Sequence, residues 1–373
     1  MRLDLLNEMV TEFSQNYVKP LARAIDEEER FPIETVELLG KYGLLGLPFP
    51  KNYGGVGANM KAYIDTVRTV SKDCATTGVI ISAHTSLCSS PIFMFGTEEQ
   101  KNKYLTKLNK GDYLGAFGLT EPSAGTDASQ QQTKAIDCGD YYEITGSKIF
   151  ITNAGYADVY IIFAMTQPEL GLKGISAFIV EKNTKGFTIG PKEKKMGIKG
   201  SSTCELIFQK ARIPKDNLLG KEGQGFKIAM QTLDGGRIGI AAQALGIAEG
   251  AFERAVSYVK TRTQFNKPIS KFQHTQFVIA DLKTEIEAAK ALLYKAVSDK
   301  DEERSYTVSA AMAKLYCSKV AVKVADQAIQ LMGGYGYIRD YEIERYLRDA
   351  KITEIYEGTS EVQRMVIAGK VLT

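Results

Sequence analysis

The chain has 373 residues, more than one ordinary domain needs, and its 44% hydrophobic and 24% charged content are globular values. Its 47 basic and 44 acidic residues leave a formal charge of +3, which argues against a nucleic-acid or membrane-surface protein. Five scattered cysteines without a C-x-x-C, and two histidines far apart in sequence, argue against a zinc site.

Residues 1–112 are predicted to be helical. The opening "MRLDLLNEMVTEF" is amphipathic and lacks the apolar core of a signal peptide. No apolar run is expected to span a membrane, so the predicted setting is a reduced, soluble cytoplasm. Pro20 kinks or ends the first helix, and "FPIETVELLGKYGLLGL" forms a second, closed by the loop "PFPKNYGGVGAN". Three further helical patterns end near "EEQKNKYLTKLNKG".

Residues 113–220 change texture. "YLGAFGL", "YYEITGSKIFIT", "DVYIIFAM", "GISAFIV" and "CELIFQKARIP" are short β-branched and aromatic runs, with "DCGD" and "TGS" supplying turns. They predict an antiparallel, barrel-like domain of about seven strands. Residues 221–373 return to helical periodicity. Val320, Val324, Ala328 and Met332 fall on one face of a core helix. The fold class is therefore α+β multidomain: an all-α domain, a middle β-domain, and a C-terminal α domain resembling a four-helix bundle.

Four segments have the composition of a site. "GLTEPSAGTDAS" (118–129) offers hydroxyls and backbone N–H groups that suit a polar ring edge or a phosphate; it also reads as an ordinary connection. "RTQFNKPISKFQ" places Arg262 and Phe265 three apart, to grip a phosphate and stack on a ring, or to end a helix and fill a core. "QLMGGYGYIRDYEIER" (330–345) fails as a dinucleotide fingerprint, because a helix precedes it and the third glycine is missing. Gly333 and Gly334 fit a helix end turning through positive φ. "ITEIYEGTSEVQRM" (352–365) holds Glu357 before a final helix, with Ser360 and Gln363 as a capping box. By itself, Glu357 is either a site carboxylate or a solvated loop acid. "GPKEKKMGIKG" (190–200) is expected to be a solvated loop, with partner or phosphate docking as the alternative.

"GLTEPSAGTD", "FIT" (150–152), "RTQF", "QLMGGYGYIRD" and "IYEGTSEVQR" occur in the order and spacing of the acyl-CoA dehydrogenase family. The resemblance covers essentially the whole chain. "LDGGRIGIAAQALGIAEGA" and "RDAKITEIYEGTSEVQR" look most similar to its short-chain, butyryl-CoA branch.

The resemblance implies FAD as cofactor. Residues Phe117 to Thr126, including Leu119 and Thr120, would line the flavin with Phe150, Ile151 and Thr152. Arg262, Phe265, Gln273, Gln330, Leu331, Gly333 and Gly334 would reach the FAD of a neighbouring subunit, and Thr359 and Glu361 would contact it near the final helix. Thr126, Asp234, Arg237 and Gly358 resemble acyl-CoA contacts, with Gly358 leaving room for the acyl chain. Glu357 matches the catalytic base. The base's own N–H and a ribityl hydroxyl of FAD would stabilise the thioester oxygen. The resemblance also implies a homotetramer that passes electrons to an electron-transferring flavoprotein.

The chain departs from the family in lacking tryptophan, so Phe150 can cover the flavin but offers no N–H donor. Gln130 also replaces a small residue. Some relatives carry the base in the segment matching "LDGGR", where this chain has Gly236. Two alternatives stay open: an enoyl-CoA or acryloyl-CoA reductase running in the opposite direction, and a non-catalytic flavoprotein subunit.

Overall fold

The computed structural model describes residues 3–373. The N-terminal helices are α1 (Leu3–Phe13), α2 (Ala22–Glu27), α3 (Ile33–Lys41), α4 (Met60–Asp73), α5 (Ala75–Ser82), α6 (Ser90–Phe95), α7 (Glu98–Gln100) and α8 (Thr106–Lys110). Pro20 marks the predicted break, within a 3-10 turn that follows a π-helical stretch. Asn59 starts α4 by accepting the Ala62 N–H at 3.1 Å.

A second π-helical stretch, Ala83–Ser89, joins α5 to α6. Contrary to the expectation from sequence, the resulting Ala75–Phe95 helix is long and apolar enough to cross a membrane. Its most apolar window is 78% buried against the rest of the chain, the setting of a core helix.

The sheet has eight strands, one more than expected: β1 (Gly115–Gly118), β2 (Lys134–Asp137), β3 (Tyr141–Ile151), β4 (Val159–Met165), β5 (Ile175–Glu181), β6 (Phe187–Lys192), β7 (Cys204–Pro214) and β8 (Leu218–Leu219). The order is β6-β7-β3-β2-β4-β5-β8, and β1 pairs with β4 in parallel, so the sheet is not purely antiparallel. "DCGD" is a turn, but "TGS" is not. It lies inside β3 as an irregularity, where a Cβ at Gly146 would meet Thr133 Oγ1 at 2.5 Å.

Strand β4 shows why the sheet sits where it does. Val159, Ile161, Phe163 and Met165 pack with Tyr104, Leu105 and Leu108 of the N-terminal helices. Tyr160, Ile162 and Ala164 face a second core with Phe178, Leu206 and Phe208. Period-two alternation thus feeds two apolar layers.

The C-terminal helices are α9 (Gly225–Thr261), α10 (Gln273–Asp301), α11 (Thr307–Met332), α12 (Gly334–Tyr337), α13 (Ile343–Lys351) and α14 (Ser360–Val371). The face Val320, Val324, Ala328 and Met332 is buried as predicted. One core joins α1, α4 and α5 to α9, α10 and α11. Its seam is tight: Cβ atoms at Gly246 and Gly250 of α9 would fall 2.3 and 2.2 Å from the carbonyls of Arg68 and Lys72 on α4.

Residues 190–200 are solvated only in part: 191–194 and Met196 are exposed, as expected, whereas Gly197, Ile198 and Gly200 are buried. Ile198 is buried and its N–H reaches Asp349 Oδ1 at 2.5 Å, Lys195 donates to the Ser201 carbonyl at 2.7 Å, and Arg348 holds the Met196 carbonyl at 3.2 Å. Helix α13 thus meets the Ile198 N–H and the Met196 carbonyl and ties down the end of this segment.

Candidate active site

Glu357 lies between α13 and α14. Its φ is +51° and that of Gly358 is +89°, two left-handed residues in succession that reverse the chain. Thr359, not Ser360, caps α14, its Oγ1 accepting the Val362 N–H at 3.3 Å. Both are hydroxyl residues, and the left-handed pair at 357–358 places the earlier one at the cap. Gln363 does not complete a capping box; its Nε2 donates to the carbonyls of Glu357 at 3.3 Å and Gly358 at 2.8 Å. Gly358 serves the backbone turn and this contact: a Cβ there would fall 2.8 Å from Gln363 Nε2.

The Glu357 side chain runs to α9. A Cβ at position 236 would fall 2.1 Å from Glu357 Oε2 and 2.8 Å from Leu87 Cδ2, so Gly236 leaves the space that the carboxylate fills. The residue as a whole is half-buried, but Oε2 is buried and has no hydrogen-bond partner. Burial pushes the carboxyl up to about 7, against the opposing charges of Lys314 and Arg237.

Arg237 is buried one helical position further along α9. Its Nη1 donates to Asp234 Oδ1 at 2.6 Å, and Thr307 donates to Asp234 Oδ2 at 2.7 Å. Asp234, Arg237, Gly358 and Glu357 are thus gathered around one region. Thr126 is exposed in the loop after β1.

The β-domain residues form a second group. The Ile149 N–H donates to the Thr120 carbonyl at 2.9 Å, tying the 118–129 loop to β3. Phe150 follows at φ +59° with its ring 62% exposed. Phe117 is half-buried and packs edge-on to Phe163; Thr152 is half-buried. Leu119 and Ile151 turn their side chains into the cores.

A third group lines a cavity of about 470 Å³: Arg262, Gln330, Leu331, Gly333, Gly334, and also Tyr258 and Tyr335. Only Gly333 has a positive φ; Gly334 already begins α12. Phe265 and Gln273 do not line this cavity. Phe265 is 88% exposed at the tip of a short hairpin, and Gln273 is exposed at the start of α10. None of residues 117–152 lines it either. Thr359 is half-buried, while Glu361 is exposed and pairs with Arg364 at 3.3 Å.

Family models for the acyl-CoA dehydrogenase N-terminal, middle and C-terminal domains match residues 2–112, 116–211 and 223–372. The chain belongs to the acyl-CoA dehydrogenase family. Among family members, it is 59% identical over 368 residues to a short-chain specific acyl-CoA dehydrogenase of Clostridium acetobutylicum, covering 99% of this chain and 97% of that one. The solved butyryl-CoA dehydrogenase of Megasphaera elsdenii superposes with a TM-score of 0.98 at 50% identity, over 100% and 98% of the two chains. A chain in a structure described as the electron transferring flavoprotein of Acidaminococcus fermentans gives 0.98 at 53% identity, over 99% and 97%.

Acyl-CoA dehydrogenases of this kind carry a flavin. The residues present fit one: Phe150 holds an exposed ring at a left-handed backbone position, and the hydroxyl loop is pinned beside it. Open space lies beyond the α-carbons of Gly333 and Gly334, next to Arg262.

Two buried residues near Glu357 escaped the motif analysis. Lys314 on α11 is fully buried and donates to the Gly358 carbonyl at 2.7 Å. Its signal was a lysine in the apolar stripe that runs Ala310, Cys317, Val320 along α11. Leu87 lies against Gly236 with no local signal, because only the tertiary fold brings the two together.

Proposed function

We propose that this chain dehydrogenates a short-chain acyl-CoA to the trans-2-enoyl-CoA, with FAD as cofactor and Glu357 as base. The observation that carries this reading is the buried, unpartnered Oε2 of Glu357, whose carboxyl titrates near 7. A carboxylate relieved of water is a stronger base toward a weakly acidic α-proton.

Glu357 takes the α-proton of the thioester. Bound FAD supplies the acceptor for the β-hydride. The backbone N–H of Glu357, which has no acceptor among the described residues, donates to the thioester oxygen as charge develops there. Arg237, fixed by Asp234, orients the acyl-CoA next to the base. Phe150 and the Thr120 loop would hold the flavin, with Phe117, Thr126, Thr152, Thr359 and the backbone of Leu119 and Ile151. Arg262, Gln330 and the Gly333–Gly334 backbone would hold the diphosphate end of the same cofactor type. None of residues 117–152 lines the Arg262 cavity, so a complete FAD site would combine the β-domain group of one subunit with the Arg262 group of another. A homotetramer provides that. The electron acceptor is an electron-transferring flavoprotein, supported by the structure from Acidaminococcus fermentans.

The test is flavin reduction by butyryl-CoA in Glu357→Gln. The nearly isosteric amide keeps FAD and ligand, and the rate of bleaching should drop by about 10²–10⁴ or more. Bleaching at near wild-type speed would remove Glu357 from the role. The same residues serve the reverse reaction, so crotonyl-CoA reduction outpacing butyryl-CoA oxidation with the same flavoprotein would assign the opposite direction.

A further inference from the structure

Lys314 is a charged side chain with no exposed surface, and the mechanism above leaves it unused. An ammonium removed from water is costly unless its donors are engaged. Its acceptor is one carbonyl, that of Gly358, at 2.7 Å. The charged groups nearest to it come from four elements: Arg237 on α9, Glu354 on the 3-10 turn after α13, Glu357 on the loop, and Glu361 on α14. Among the described residues no carboxylate forms an ion pair with Nζ.

Two donors converge on the Gly358 carbonyl, Lys314 from α11 and Gln363 from α14, and Gln363 also takes the Glu357 carbonyl. In planar trans peptides, carbonyl and N–H point in opposite directions. Drawing the carbonyls of 357 and 358 toward α11 and α14 therefore turns the N–H groups of Gly358 and Thr359 the other way. Neither of these, nor the N–H of Glu357, has an acceptor among the described residues. The left-handed φ of +51° at Glu357 persists only if its surroundings impose it.

We propose that Lys314 is the positioning residue of the catalytic loop: through the Gly358 carbonyl it fixes where the Glu357 carboxylate and the free N–H groups of 357–359 stand relative to α9. This rests on the assignment of Glu357 as base. A second consequence follows from the charge, which opposes the effect of burial on the Glu357 carboxyl.

Steady-state kinetics of the FAD-loaded enzyme with butyryl-CoA across pH test this, with Lys314→Met, Lys314→Arg, Gln363→Met and Glu357→Gln in parallel. Lys314→Met should reduce kcat by about 10²-fold, since a small misplacement of the base is enough. It should also move the acidic limb of kcat/KM about one unit alkaline, because the nearby positive charge is gone. Lys314→Arg should bring the limb back. Gln363→Met, which removes the neutral donor only, should reduce kcat without moving the limb.

A Lys314→Met enzyme with wild-type kcat and an unmoved limb overturns the proposal while Glu357→Gln is inactive. Should Lys314→Met fail to fold, the other two variants decide: wild-type kcat in Gln363→Met, or a limb still displaced in Lys314→Arg, overturns it. Activity in Glu357→Gln defeats the base assignment itself, a separate result.

Discussion

The ammonium of Lys148 lies 2.7 Å from Glu121 Oε1, and neither side chain meets solvent. Lys148 also donates to the Gln131 side chain at 2.9 Å and the Leu119 carbonyl at 3.3 Å, while Glu121 accepts the N–H groups of Gln132 and Thr133. One buried pair thus clamps both ends of the 119–133 loop onto β3. Removing one partner strands a buried charge, so Lys148→Met should lower stability by about 3–5 kcal/mol. The double variant Lys148→Met/Glu121→Gln should recover part of that loss in denaturant titration. Equal stability of single and double variants would show that the pair is not coupled.

The base predicts its own pH dependence. Glu357 titrates at about 7 in the folded chain, so kcat/KM for butyryl-CoA should rise with pH through that value and then level. The folded pKa lies above the unfolded one, so the group's contribution to stability is complete below the unfolded value. It is lost as pH climbs through 7. Glu357→Gln should accordingly raise Tm by about 2–4 °C at pH 8 and leave it unchanged near pH 4. A gain at both pH values would point to packing instead of ionisation.

Gly236→Ala puts a methyl group where Oε2 stands. Position 236 is in the middle of a long helix, where alanine is favoured over glycine by about 1 kcal/mol, so the variant should fold. Its kcat should fall by about 10²-fold as the carboxylate is pushed aside. Wild-type kcat, measured beside an unchanged melting curve, would mean that Glu357 has a second productive position.

Arg262 lies 5.3 Å from the Tyr335 ring and lines the glycine-backed cavity. Arg262→Ala should weaken FAD retention by about 1.5–3 kcal/mol, the loss of a charge-assisted hydrogen bond. Flavin occupancy and elution volume should change together. Full occupancy at the wild-type oligomeric size would show that the cofactor does not depend on this side chain.

Periodicity made the helices and the clearest strands legible, because burial acts at fixed spacing: every second residue of β4, and every third or fourth residue of α11. What it hid was non-local. The parallel partnership of β1 with β4 depends on residues more than forty positions apart, and no local pattern encodes it. "TGS" had turn composition, yet strand pairing on both sides carried β3 through it. Glu357 was legible through its motif. Lys314 was not, since a single lysine on a helix usually denotes a surface, and only the tight apolar stripe around it says otherwise.

Positions 236 and 357 claim one volume, so the proposed base is defined by a point in space that two distant stretches of chain can reach. Transfer of the carboxylate between them in a lineage needs two substitutions, and their order matters. Loss at 357 first leaves no base. Gain at 236 first crowds two carboxylates into a site that tolerates one negative charge, and they would share a proton. Either intermediate is impaired, so the two arrangements should persist as separate lines of descent. Across many such sequences, an acid at the position of Glu357 should be accompanied by a residue no larger than glycine at the position of Gly236.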